Sequence, residues 1–292
     1  MLILDGKKLS NKFKENIKNE IEKNNYNICL AIIMVGSKIE SKTYVNMKIN
    51  ACNYVGIKNK DILLEDNISN TKLLDILNEL NNDNNIHGIL VQLPLPNHLD
   101  EKLILNNINI EKDVDGFHAK NFGNLALNNY NNCNIPCTPD GVIELFKEYD
   151  IELKGKHVVI VGKSNIVGLP MLLLCLHNEA TVTVCHIYTP NTKEITKTAD
   201  ILISACGVPY LFNSNDIKEN AIIIDIGINK IDDNTKKSGY KLVGDVNFND
   251  VVDKVKAITP VPNGVGPMTI AMLLQHTLNS YKRINKRINK IN

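Results

Sequence analysis

No apolar run in this chain approaches the ~20 residues a membrane-spanning helix needs, and the N-terminus, MLILDGKKLS, lacks the apolar core of a secretory signal. The expectation is a soluble, cytoplasmic protein with no membrane partner. A surplus of charge is missing too. Thirty-three Lys plus Arg face 32 Asp plus Glu, a net charge of +1, so no global field recruits nucleic acid. The expected partner is a small molecule. Arginine is nearly absent: Arg283 and Arg287 are the only ones, and the heavy use of lysine, asparagine and isoleucine reads as compositional bias rather than chemistry. The seven cysteines are odd in number and scattered, and Cys175, Cys185 and Cys206 sit in apolar runs, as reduced thiols of a cytosolic protein do. Cys133 and Cys137 have the spacing of half a metal site, but no second pair follows, so no metal is expected. There is no repeat of solenoid length.

What is present is alternation. A chain of 292 residues has room for two domains of ordinary size. A short strand near Leu2 to Leu4 precedes a helix at 8–23, with Leu9, Phe13, Ile17 and Ile21 on one face. Strand Cys29 to Val35, helix 39–55, strand Ile62 to Leu64, helix Thr71 to Leu80 and strand Ile86 to Gln92 follow, an α/β unit with a mainly parallel sheet. A second alternation starts near Asp140: helix 140–149, strand 157–161, helix 169–178, strand 181–187, helix 191–198, then strands 200–205 and 221–226. That is doubly wound. The asparagine-rich stretch Asn121 to Asn134 reads as a connection between domains, and Asp232 to Gly239 as an exposed hairpin or loop. A last helix from about Thr269 to Arg283 ends in KRINKRINKIN, which reads as a frayed or solvated tail.

Residues 157–170, HVVIVGKSNIVGLP, carry the strongest functional signal. A buried strand meets Gly162, and a small-residue turn delivers Gly168 and Pro170 to a new helix, whose unpaired N–H groups attract phosphate. Ser164 stands where a dinucleotide fingerprint has its second glycine, and Gly168 comes one residue late. A plain glycine turn in an α/β domain fits the fragment as well. A nucleoside-triphosphate P-loop does not, because His157 stands where that motif needs glycine.

Tyr44 and Lys48 lie four apart on one helix face, rotated by about one residue from the Val45, Ile49, Cys52 stripe. A half-sheltered lysine there suits proton transfer; a surface lysine beside a core-edge tyrosine has the same spacing. Pro94 and Pro96 end the strand before them and leave Gln92 at its C-terminal edge, where α/β sheets bind ligands. Gln92 then bonds Lys48, a substrate, or merely backbone. Asp113 and Asp115 share a turn, either as ligand-binding carboxylates or as an Asx-type turn or helix cap. Two Pro/Gly-dense joints, 136–141 and 259–269, flank the second α/β unit, and Thr138 and Thr269 in them are hydroxyl donors for a ligand, or caps of the helices they precede.

The ordered segments YVNMK, VQLPLP, KDVDGFH, PCTPDG, GKSNIVGLP, IDIGIN, GDV and TPVPNGVGPMT resemble those of the methylenetetrahydrofolate dehydrogenase/cyclohydrolase family from Asp5-Gly6 to the last helix. The resemblance implies two α/β domains: a catalytic, folate-binding one of residues 1–137 plus 269–292, and a Rossmann-type NAD(P)-binding one of residues 138–268, with a cleft between them. It also implies two reactions. Oxidation of 5,10-methylenetetrahydrofolate by NADP, with NAD as the alternative, gives 5,10-methenyltetrahydrofolate; hydrolysis gives 10-formyltetrahydrofolate.

Carried over position by position, the resemblance implies catalytic roles for Lys48, Tyr44, Gln92 and Asp115. Lys48 is the proton-transfer residue of the hydrolysis, its neutral form favoured by the cationic substrate, and Gln92 holds the amine. Tyr44 stacks on the aminobenzoyl ring, and Asp115 grips the pterin with both oxygens. Leu93, Pro262 and Gly266 join Tyr44, Gln92 and Asp115 as substrate contacts. Thr138, Gly162, Lys163, Ser164, Ile166, Gly168, Gly207, Ile228 and Thr269 are implied cofactor contacts. A homodimer is implied as well, and no further domain of the P-loop-bearing synthetase kind found in some relatives is expected.

Three departures stand out. Lys163 replaces the arginine, and Ile187 the hydroxyl or basic residue, that family members commonly use toward the NADP 2'-phosphate. No carboxylate ends the strand at Thr181 to Ile187 to hold the free ribose of NAD. Asn263 replaces the first of two glycines, the best substitute if that position needs φ > 0. A monofunctional dehydrogenase and a non-catalytic dinucleotide binder are the competing readings; retention of Tyr44, Lys48, Gln92 and Asp115 together argues against the binder.

Overall fold

The computed structural model describes residues 1–130, 133–236 and 239–291. The chain opens with β1 (Leu2–Ile3), α1 (Gly6–Asn24), β2 (Cys29–Val35), α2 (Ile39–Val55), β3 (Lys58–Leu64), α3 (Asn70–Asn82) and β4 (Gly88–Val91). Three helices come next, α4 (Glu101–Asn106), α5 (Ala119–Ala126) and α6 (Cys137–Glu148). Alternation resumes with β5 (His157–Val161), α7 (Gly168–His177), β6 (Thr181–Cys185), α8 (Thr192–Thr196), β7 (Ile201–Ser204) and β8 (Ile222–Asp225). Last come β9 (Asn229–Asp232), β10 (Tyr240–Val243), α9 (Phe248–Val251), β11 (Ala257–Ile258) and α10 (Val265–Ile291). The chain divides into two compact units, one of Asn11–Cys137 with Ile270–Asn292, the other of Met1–Ser10 with Thr138–Thr269.

The first unit holds a three-stranded parallel sheet, β3-β2-β4. β2 is apolar throughout because it is the central strand, with Leu30 to Val35 all buried. β3 extends further back than Ile62, over Lys58 to Asp61, where the polar residues of an edge strand face solvent and deter pairing with other chains. Ser69 caps α3 by accepting the Lys72 N–H at 3.3 Å. Leu73, Leu77 and Leu80 on that helix then pack against Ile33, Ile89 and Ile104.

Beside β4, Ile89 N–H donates to the Lys112 carbonyl at 2.7 Å, and Ile89 bridges Asp113 in parallel sense. Lys112 is buried, and its Nζ donates to the carbonyls of Leu80, Asn81 and Asp83, closing the C-terminal end of α3. Burial pushes this ammonium below its ordinary range, against the pull of Asp83 and Glu111.

The Asn121 to Asn134 stretch is not a connection between units. Asn121 lies in α5 and is fully buried, and Asn134 is buried too, its Nδ2 donating to the Asp113 carbonyl at 2.8 Å. Residues 131 and 132 within that stretch lie outside the described residues. The C-terminal tail, expected as frayed or solvated, is helical as far as Ile291, with Lys286 and Arg287 exposed. α10 starts four residues before Thr269 and continues to Ile291. Arg283 donates to Asn134 Oδ1 at 2.9 Å and Ser280 Oγ at 3.0 Å, and Arg287 pairs with Glu111. Both arginines of the chain therefore fasten this helix.

The second unit holds a six-stranded sheet in the order β1-β11-β8-β7-β5-β6, parallel at every pairing. Residues 1–10, expected with the first domain, belong here: Leu2 and Ile3 pair with Ala257 and Ile258, and Leu4 N–H donates to Ile258 at 2.9 Å. From β5 the chain moves outward to β6 and then returns to β7 on the other side of β5. That reversal puts the topological switch point of the sheet at the C-terminal ends of β5 and β7, where open α/β sheets bind ligands. The expected hairpin is real, with β9 and β10 antiparallel; Lys237 and Ser238 in its loop lie outside the described residues. All seven cysteines are free thiols; Cys29 and Cys206 are half-buried and the other five buried.

Candidate active site

In the first unit, Gln92 follows the last residue of β4. Its backbone N–H continues the sheet by donating to Ile33 at 2.8 Å, and the cis Leu93–Pro94 peptide follows. The Gln92 amide is oriented by its own neighbour: Nε2 donates to the Leu93 carbonyl at 2.8 Å. Oε1 is then directed at α2, where it accepts from Lys48 Nζ at 3.0 Å. Of the partners open to Gln92 in the sequence, the structure makes two, lysine and backbone. Lys48 is half-buried, whereas Tyr44, one turn earlier on α2, is 39% exposed and presents a large aromatic surface.

The turn after residue 112 uses its two carboxylates differently. Asp113 is 1% exposed and accepts from Gly116 N–H, His118 N–H and Asn121 Nδ2. Burial pushes its carboxyl up, opposed by the His118 and Asn121 donors and augmented by the charge of Asp115. Asp115 is half-exposed and accepts no hydrogen bond from the described residues. Both readings of the sequence thus apply, one to each residue: Asp113 builds the turn and Asp115 is left with both oxygens available.

At the switch point of the second unit, Gly162 has φ of 125° and Gly168 is the first residue of α7. A Cβ on Gly168 would meet the Gly162 carbonyl oxygen at 2.0 Å, so the turn closes on itself only with glycine there. Ser164 braces it, its Oγ accepting from Val167 N–H at 3.1 Å. Lys163, Ser164 and Ile166 are exposed on the turn, and Gly207 and Ile228 are exposed on the loops that follow β7 and β8. This cradle fits a dinucleotide phosphate: backbone approach is close, and the helix dipole stands behind it.

Thr138 and Thr269 are in the second unit with their hydroxyls 2.9 Å apart in a mutual hydrogen bond. Neither precedes its helix, since Thr138 is the second residue of α6 and Thr269 lies inside α10, so of the two readings of these threonines the capping one is not made. Pro262, in a cis peptide with Val261, is exposed, and Gly266 is half-buried at the start of α10. Asn263 does adopt φ of 82°, so asparagine stands where glycine's freedom is needed.

Two functional candidates escaped sequence reasoning. Asp225 and Asp245, in the IDIGIN and GDV segments, are buried at 3% and 0% exposure and sit behind the loops after β7 and β8. Burial pushes Asp225 up to about 7 against bonds from the Val246 and Asp245 N–H groups. Their signal was present as motif membership, but nothing in the spacing distinguishes a carboxylate that holds backbone from one that faces solvent.

Residues 4–115 match the family model described as tetrahydrofolate dehydrogenase/cyclohydrolase, catalytic domain, and residues 136–285 match its NAD(P)-binding domain. The chain is 49% identical over 293 residues to the bifunctional protein FolD of Campylobacter hominis, covering 99% of this chain and 100% of that one. Its structure is similar to the crystal structure of the bifunctional FolD methylenetetrahydrofolate dehydrogenase/cyclohydrolase of Campylobacter jejuni, with a TM-score of 0.92 and 48% identity over 97% of this chain and 99% of the other. The FolD of Trypanosoma brucei, solved with NADP cofactor and an inhibitor, also superposes at a TM-score of 0.92, with 36% identity over 97% of this chain and 98% of that one.

Proposed function

The chain belongs to the tetrahydrofolate dehydrogenase/cyclohydrolase family and is a bifunctional enzyme of one-carbon folate metabolism, and from that premise we propose how its residues divide the work. Its substrates are one-carbon tetrahydrofolates, and none of its described helices is long and apolar enough to cross a membrane. The observation that carries the assignment is the Lys48 Nζ to Gln92 Oε1 bond of 3.0 Å. In the hydrolysis, water attacking the amidinium carbon of 5,10-methenyltetrahydrofolate must lose a proton, and Lys48 takes it. Gln92, held by Leu93, keeps the amine in line. Tyr44 lays its ring on the aminobenzoyl group, and Leu93 adds apolar contact. Asp115 receives the two adjacent N–H donors of the pterin in a planar, bidentate match.

The dinucleotide is held by Gly162, Lys163, Ser164, Ile166 and Gly168 at the turn, with Thr138, Gly207, Ile228 and Thr269. When bound, it supplies the hydride acceptor for oxidation of 5,10-methylenetetrahydrofolate. In that half-reaction no side chain moves a proton; the chain's task is to position and to exclude water. NADP is the preferred cofactor, because Lys163 can pair with a 2'-phosphate as a point charge and no carboxylate ends β6 to hold a free ribose. The protein works in the cytoplasm as a homodimer.

A spectrophotometric assay with 5,10-methylenetetrahydrofolate tests this reading. The expected result is NADP-dependent formation of the methenyl chromophore followed by its decay to 10-formyltetrahydrofolate, faster than with NAD. A methenyl product that persists would make the enzyme a dehydrogenase alone. Sedimentation of the purified protein tests the dimer.

A further inference from the structure

Asp245 is fully buried and has five hydrogen-bond donors around its carboxylate. Oδ2 accepts from Ser204 Oγ at 3.0 Å, Cys206 N–H at 2.7 Å and Gly207 N–H at 3.3 Å. Oδ1 accepts from Val208 N–H and Asn229 Nδ2, both at 3.0 Å. Four of these donors belong to the end of β7 and the loop after it. Three successive backbone N–H groups converging on one oxyanion form the kind of concavity that α/β proteins turn toward a bound phosphate. Here the anion inside the concavity is part of the protein.

The loop so held is one wall of the switch-point crevice. Ala205 N–H donates to Val161 at 2.8 Å, and a Cβ on Gly162 would meet the Ala205 carbonyl oxygen at 2.5 Å, so the loop 205–208 starts directly against the glycine turn. Asp245 is itself held from behind. Asp225 Oδ1 accepts the Asp245 N–H at 3.0 Å, and the Asp225 N–H is bonded to Thr259 Oγ1 at 2.8 Å. Closeness leaves no slack: a Cβ on Gly227 would meet Asp245 Oδ1 at 2.0 Å.

We propose that Asp245 is a positioning residue for dinucleotide binding, an internal anion that fixes the loop 205–208 against the glycine turn. The proposal rests on the assignment of that turn and Gly207 to the cofactor, and it adds a buried residue that touches no ligand. Charge is needed because an amide in its place turns one oxygen into a donor aimed at N–H donors, whichever way it is flipped.

The test is steady-state kinetics and direct titration with NADP on the native protein, Asp245→Asn and Ser204→Ala. Asp245→Asn should raise the KM for NADP and its dissociation constant by about tenfold or more, and Ser204→Ala, which removes one donor without adding an atom, by about threefold. The KM for 5,10-methylenetetrahydrofolate should change less than the KM for NADP in both, a split that general loss of folding does not produce. Should Asp245→Asn fail to fold, Ser204→Ala gives the same reading on its own. Native protein that binds NADP, with variants that bind it equally well, overturns the positioning role. Native protein that binds neither NADP nor NAD overturns instead the assignment beneath it.

Discussion

Asp113 and Asp115 stand two residues apart in one turn and face opposite tasks. The first accepts three hydrogen bonds from Gly116, His118 and Asn121 and is buried; the second accepts none from the described residues and is half-exposed. Asp113→Asn should therefore cost about 1–3 kcal/mol of stability by turning an acceptor into a donor among donors. Asp115→Asn should leave stability within about 0.5 kcal/mol and instead raise the KM for folate. Urea unfolding and folate kinetics on the two variants check the division, and equal destabilisation would remove it.

Lys48→Met should lower the cyclohydrolase rate by about a hundredfold or more, the usual contribution of a positioned general base, while measurable dehydrogenase activity remains. The two rates are read separately, from methenyl formation and methenyl decay. Parallel loss of both, with folate affinity unchanged, contradicts the assignment of Lys48 to proton transfer.

Lys163→Ala should raise the KM for NADP by about tenfold, consistent with one lost charge-assisted contact, and leave the KM for NAD within about a factor of two. A uniform effect on both dinucleotides would show that Lys163 serves the shared pyrophosphate rather than the 2'-phosphate.

Asp225 makes stability depend on pH in a direction opposite to most carboxylates. Its folded-state pKa of about 7 lies above the ordinary 3.8, because burial disfavours the charged form. Between those values the folded chain keeps a proton that the unfolded chain has released. Its contribution is therefore complete below about pH 4 and is lost as pH rises through about 7. Asp83, Asp200, Asp233 and Asp250 are shifted down and act in the other sense, losing their contribution as pH falls. The difference between native protein and Asp225→Asn isolates the effect: it should decline by roughly 1.4 kcal/mol per pH unit inside the window and flatten above it. Asp245, through its N–H and its charge, is a near neighbour of Asp225, and Tyr210 and Lys241 line the same cavity of about 320 Å³. A flat difference curve in guanidinium unfolding would mean that Asp225 is ionised throughout.

The strands that are buried on both sides could be read from composition. Cys29 to Val35 and Val158 to Val161 are unbroken β-branched or apolar runs, and the structure ends their strands at Val35 and Val161. Glycine turns and proline stops were legible for the same reason: each is a local constraint on φ or on an N–H group. What was hidden depends on partners distant in sequence. Asn121 and Asn134 have the composition of a loop, yet both are buried through bonds to Asp113. Leu2 and Ile3 read as a strand without saying which sheet they join. The polar KRINKRINKI segment reads as a frayed or solvated tail, and its helical state goes with contacts distant in sequence, of Arg283 with Asn134 and of Arg287, itself largely exposed, with Glu111. At the site, helical spacing brought Tyr44 and Lys48 to one face, but the bond from Lys48 to Gln92 joins a helix to a strand end and no periodicity encodes it.

The pairing of Leu2 and Ile3 with Ala257 and Ile258 also bears on how the polypeptide matures. During translation the first strand emerges early, while its neighbour β11 is made only after β8, β7, β5 and β6. The edge of the large sheet therefore stays open, and Leu2 and Ile3 unmatched, until Ala257 and Ile258 have left the ribosome.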